Sequence, residues 1–186
     1  MTLRWKIIQP PELLLVVLGS SAGPVEGRTA IQKLTYFASL RTGLMLGYRP
    51  HYYGPYSSLL HGLLGEFVSA GYVEEQARQT RFNRTMYTYS LTDDGLELFN
   101  EVTKKEPEKA AEVREVVQRS ERIVKNNVNA LSWAAKVYFL LSQKGTEIST
   151  EEAVQSSRRF GWKLSNTEVE SGTRLLVGLG LARRSK

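Results

Sequence analysis

The sequence predicts a mainly α-helical fold with one small antiparallel β-hairpin, and three observations carry that prediction. Apolar residues recur at helical spacing through most of the chain, as in "SSLLHGLLGEFVSAG" over 57–71. One segment, "YVEEQARQTRFNRTMYTYSLT" over 72–92, changes to a period of two. Helix-start signals, a hydroxyl residue followed three positions on by Glu or Gln, stand before several of the helical runs.

The 186 residues, 41% hydrophobic and 24% charged, suit a soluble globular protein with one ordinary domain or two small ones. Zero cysteines exclude disulfides, thiolate nucleophiles and thiolate metal sites, and fit a reducing cytoplasm. Arg4 and Lys6 precede an apolar run in the manner of a signal peptide, but the run is only Leu13 to Leu18 and follows Pro10, Pro11 and Glu12. It reads as a buried first helix, and no membrane span is expected.

A Gly/Ser/Pro loop follows, and Thr29 with Gln32 forms a capping box that opens a second helix, "TAIQKLTYFASLRTG", with Ile31, Leu34, Phe37 and Ala38 on one face. The third helix, 56–70, follows Pro55 and turns Leu59, Leu60, Leu63, Leu64, Phe67 and Val68 to the core, with Gly71 stopping it. Tyr72 to Ala77 and Met86 to Leu91 form the hairpin with 78–84 as its tip, and Thr92 or Asp93 caps a fourth helix. Pro107 begins an amphipathic connector carrying Val113, Val117, Ser120 and Val124. Asn126, Asn127 and Asn129 interrupt it, and "LSWAAKVYFLLSQ", apolar nearly all round, centres a second core. Capping boxes at Ser149/Glu152 and Ser165/Glu168 open two shorter helices. The predicted division is 1–105, a connector at 106–128, and a helical C-terminal domain at 129–186. A faint echo between "EFVSAGYVEE" and "LLVGLGLARR" makes that domain a candidate for a second helix-turn-helix.

The stretch "HYYGPYSSLL" at 51–60 concentrates unusual residues: a histidine, three tyrosines, a Gly-Pro step and two serines. Catalysis and metal binding both fit it poorly, because His51 and His61 lack the i, i+4 spacing and have no acid nearby in sequence except Glu66. No catalytic, cofactor or metal residue is expected. The stretch reads better as a sharp entry into a helix: Gly54 before Pro55 favours a turn, and Ser57 or Ser58 caps the free amides. That leaves Ser57, Ser58, His61, Gly62 and Gly65 facing outward, as a small polar surface.

Three motifs, Arg28 to Lys33 ("RTAIQK"), His51 to Ser57 ("HYYGPYS") and Tyr89 to Gly95 ("YSLTDDG"), together resemble the YwgA-type family of predicted winged-helix regulators over residues 27–100. The resemblance implies a winged helix-turn-helix plus a helical C-terminal domain, with the third helix in a DNA major groove and the hairpin tip, or wing, on the adjacent backbone. It implies phosphate contacts from Arg78, Arg81 and Arg84, with flanking charge from Arg28 and Lys33. The third helix departs from usual base readers: it holds no Lys or Arg and carries Glu66, so reading falls to Ser57, Ser58 and His61, to helix-terminus amides or to DNA shape.

The formal net charge of +6, at a pI near 9.5, agrees with a polyanionic partner. It divides as +2 over 1–105 and +4 over 106–186, with Arg158, Arg159, Lys163, Arg174, Arg183, Arg184 and Lys186 clustered late. The expectation is a cytoplasmic, cofactor-free DNA-binding regulator, paired as a homodimer through the Ala110, Val113, Val117 and Val124 stripe. The alternative is a protein-interaction or antitoxin-like adaptor on the same fold.

Overall fold

The computed structural model describes residues 8–80, 82–125, 127–145 and 147–183. Helix α1, Pro10–Ser20, starts where Pro10 and Pro11 need no amide partner, and Gln9 and Glu12 close a reciprocal capping box. Leu13 to Leu18 are all buried, so α1 forms the floor of the core. Strand β1, Val25–Glu26, leads directly into α2, Gly27–Thr42. Glu26 is the N-cap of α2, and Thr29 lies inside the helix; the capping box expected at Thr29 and Gln32 is not formed. The reason is tertiary: the Gln32 side chain is committed to Ser57, twenty-five positions away.

Helix α3, Ser58–Ser69, begins two residues later than its apolar pattern suggests. Ser57 caps it, its Oγ accepting the Leu60 amide at 3.1 Å. Leu60 and Leu64 are buried and Leu63, Phe67 and Val68 half-buried, but Leu59 is 49% exposed and does not belong to the core face. Strands β2, Val73–Gln79, and β3, Thr85–Leu91, pair antiparallel from Val73 opposite Leu91 to Gln79 opposite Thr85. Strand β1 adds itself to β3, Val25 opposite Tyr89, giving the sheet order β1-β3-β2.

Helix α4, Asp93–Lys105, is capped by Thr92, and Pro107 opens α5, Pro107–Val124. Gly95 sits at a close approach: a side-chain carbon there would collide with the Tyr72 carbonyl oxygen. Helix α5 packs on α1 and α2, and Ala110, Val113, Val116, Val117, Ser120 and Val124 are buried against the chain's own helices. The homodimer expected from this stripe therefore loses its ground, because the face is already covered.

Helix α6, Val128–Lys144, packs on α8, Asn166–Gly178, and on α2; the shorter α7, Thr150–Ser157, closes the end. Both late capping boxes form, Ser149 with Glu152 and Ser165 with Glu168. The buried apolar side chains make one continuous cluster from Ile8 to Leu179, with α2 packed on α6 and α5 on α8. Helices α3 and α8 end alike: Gly71 and Gly180 both take positive φ, and the next amide returns to the helix, Tyr72 to Phe67 and Leu181 to Leu176. The likeness stops there, since no strand follows α8 among the described residues. No helix among them is long and apolar enough to cross a membrane.

Candidate nucleic-acid interface

The first sequence motif, on α2, meets each of the other two. On α2, Gln32 Nε2 donates to the Ser57 carbonyl at 2.9 Å while its Oε1 accepts the Ser57 amide at 3.0 Å, so one buried amide side chain satisfies both backbone groups of the turn. One residue on, Lys33 Nζ donates to the Pro55 carbonyl at 2.6 Å. One turn earlier, Arg28 Nε donates to the Tyr89 hydroxyl at 2.7 Å and Nη2 reaches Glu75 Oε2 at 3.0 Å; the Tyr89 hydroxyl donates to the same carboxylate oxygen at 2.5 Å. A single face of α2 thus holds the entry to α3 with one end and the sheet with the other.

The surroundings shift the ionisation of each of these groups. Hydrogen bonds from Tyr89, then from Arg28, hold the Glu75 carboxyl below the usual carboxylate range, and the pair with Glu75 raises Arg28. Burial, reinforced by the bond to Glu75, pushes the Tyr89 hydroxyl up to about 12. Lys33 is 2% exposed; burial, with repulsion from Lys136, lowers its ammonium to about 7.

The turn itself is an internal joint. Gly54 has φ +100°, open to glycine and strained for other residues, and donates to the His51 carbonyl at 2.9 Å. A side-chain carbon at Gly54 would lie 3.1 Å from Lys136 Cγ, so the turn presses against α6. Trp162 Nε1 donates to the same His51 carbonyl at 2.7 Å, tying the turn to the segment before α8.

The residues expected to touch DNA therefore separate. Ser57 is fully buried, its Oγ donating to the Leu46 carbonyl at 2.6 Å, and Lys33 is buried; neither reaches a nucleic acid, which corrects both assignments. Arg28 is half exposed but engaged by Glu75 and Tyr89, which ties it to the sheet rather than leaving it as free flanking charge. Ser58 and His61 are exposed at the start of α3, and Arg78 and Arg84 are exposed at the far end of the hairpin. Arg81 lies outside the described residues.

Sequence reasoning missed the exposed aromatic surface. Phe82, at the hairpin tip, is 88% exposed, and Tyr52 and Tyr53, stacked edge to face at 4.8 Å, are 74% and 56% exposed. The ring of Tyr56 lies between His51 and His61, at 5.0 and 6.0 Å. Phe82 was legible in principle, as the one aromatic in "RQTRFNRT". The outer face of α3 carries Ser58, Leu59, His61, Gly62, Gly65 and Glu66, and so no lysine or arginine.

No protein-family model matches the chain. It is 28% identical over 111 residues to the uncharacterized protein YwgA of Bacillus subtilis (strain 168), a match covering 59% of this chain and 66% of that relative.

Proposed function

We propose that this chain is a DNA-binding protein of winged-helix type, with α3 presented to a groove and the arginine-bearing hairpin acting as a wing on the phosphate backbone. The observation that carries the reading is the element order α1-β1-α2-α3-β2-β3 with the sheet order β1-β3-β2. In that order the hairpin follows α3 and extends beyond the core, as a wing must. Exposed Arg78 and Arg84, with no acidic residue between Glu75 and Asp93, supply the charge. Without a lysine or arginine on α3, affinity falls to the wing, and sequence preference to Ser58, His61 and DNA shape. Regulation of transcription is the role this chemistry fits.

A second reading, a protein-interaction adaptor, is favoured by a different observation. The outer face of α3 bears Leu59 and Glu66, and exposed Tyr52 and Tyr53 stand on the turn that leads into it. Such a surface suits a protein partner better than a phosphate backbone. Fluorescence anisotropy with a labelled mixed-sequence duplex over a salt series separates the two. Binding that weakens steeply with salt supports DNA, and absence of binding at about 50 mM salt supports the adaptor.

A further inference from the structure

The wing ends in an aromatic side chain that the fold does not use. Phe82 is 88% exposed at the apex of a loop closed by backbone bonds, Asn83 N to Thr80 O at 3.0 Å and Thr80 N to Arg84 O at 2.8 Å, with Thr80 Oγ1 accepting the Arg84 amide at 3.2 Å. Asn83 takes φ +54°, a conformation asparagine tolerates better than most residues. The tip is thus a built loop that presents a bare ring away from the core. A ring this exposed adds nothing to the core and is open to contact with another molecule.

The surroundings identify that contact. Arg78 and Arg84 flank the ring, and an open groove beside it is lined by Arg78, Gln79, Phe82, Arg84 and Tyr87. Arg28, though engaged with Glu75, sets its guanidinium 5.9 Å from the Tyr87 ring centre. Cations around one projecting apolar ring form the composition with which minor-groove proteins hold phosphates and wedge a side chain between base steps. An apolar protein pocket would match the ring but not the arginines; duplex DNA matches both.

We infer that Phe82 is a minor-groove wedge, inserted between two base pairs while Arg78 and Arg84 hold the flanking phosphates, so that binding kinks the duplex. This rests on the DNA-binding reading above and adds to it a deformation and the residue that drives it. Sequence preference then arises partly from steps that unstack easily, such as TA and CA, which compensates for an α3 poor in base-reading side chains.

The test uses the full chain, a duplex of about 20 base pairs with a fluorophore at each end, and Phe82→Ala and Phe82→Trp variants. The wild type should raise energy transfer between the ends, as a kink of roughly 20° or more requires. Phe82→Ala should abolish that rise and weaken binding about tenfold, the effect expected for removing one stacked ring. Phe82→Trp should retain both, and all three proteins should melt alike because the ring is outside the core. Wild-type binding without bending, or equal bending by Phe82→Ala, would overturn the wedge while leaving the DNA reading intact. No wild-type binding at about 50 mM salt would overturn both.

Discussion

Lys33 Nζ donates to the carbonyl oxygen of Pro55 at 2.6 Å, and both residues are buried. A lysine in this setting keeps a hydrogen bond but loses its hydration, and the charged neighbour acting on it is another cation, Lys136. The motif Lys therefore serves the fold, by securing the turn that aims α3, and it does so at a cost that depends on pH.

The sign of that cost follows from linkage. Lys33 titrates at about 7 in the folded chain, below the usual lysine value it regains on unfolding, so between these values the unfolded chain binds more protons. Stability contributed by this site therefore rises with pH through that window and is lowest where Lys33 must stay charged. In urea unfolding, Lys33→Met should gain relative to wild type at about pH 6, and the gain should shrink by about pH 9. A stability difference independent of pH would contradict the buried, uncompensated ammonium.

Gln32 is the more demanding link. Replacing it with leucine removes the acceptor of the buried Ser57 amide and one of the two donors to the Ser57 carbonyl, which keeps the His61 amide at 3.1 Å. One unpaired buried amide costs about 1 to 3 kcal/mol, which a urea titration measures directly. Ser58→Ala, one residue beyond the true cap and exposed, should stay within about 0.5 kcal/mol.

Trp162→Phe tests the joint between the turn and the C-terminal helices. The indole is 2% exposed and its Nε1 holds the His51 carbonyl at 2.7 Å, so phenylalanine keeps most of the ring volume and gives up the hydrogen bond. Destabilisation of about 1 to 3 kcal/mol is expected. A change below about 0.5 kcal/mol would mean that the turn does not rely on this tie.

Local signals in the sequence are reliable where the partners lie close in the chain. The Ser149/Glu152 and Ser165/Glu168 capping boxes, Thr92 as a cap, Pro107 as a helix start and the hairpin pairing all depend on neighbours within a turn or a tight loop. The failures share the opposite property. Gln32 carries the spacing of a capping box with Thr29 but is drawn to Ser57, and β1 is two residues that become a strand only because Tyr89 and Thr88 lie beside them. Ser57 and Lys33 look like surface groups, being polar and near a helix start, and are buried because each meets a backbone group brought in from elsewhere. The valine stripe of α5 has the same periodicity whether it faces a second copy or α1 and α2, so spacing alone does not reveal what covers it. Among the described residues of the candidate site, Ser58, His61, Arg78 and Arg84 stand exposed, and Arg28 is half exposed and tied to Glu75.

Ser58 and His61 are the remaining candidates for base preference on α3. Their double alanine variant should narrow the affinity gap between duplex sequences more than it weakens binding to mixed DNA, because a hydroxyl and an imidazole edge can hydrogen-bond to bases while the phosphate contacts fall to the arginines. Competition among a panel of labelled duplexes measures this, and an unchanged ranking would assign preference to DNA shape alone.

The most direct test of the central claim compares arginines that differ in partner. Arg28 is tied to Glu75 and Tyr89, whereas Arg78 and Arg84 are exposed at the hairpin end. In anisotropy titrations over a salt series, Arg78→Ala with Arg84→Ala should flatten the dependence of log affinity on log salt by about 0.9 for each phosphate no longer neutralised, with the melting temperature nearly unchanged. Arg28→Ala should do the reverse, costing up to about 1 kcal/mol of stability while leaving the slope in place. Equal slopes for wild type and the wing double variant would contradict the wing as the DNA-binding element and favour a protein partner on α3.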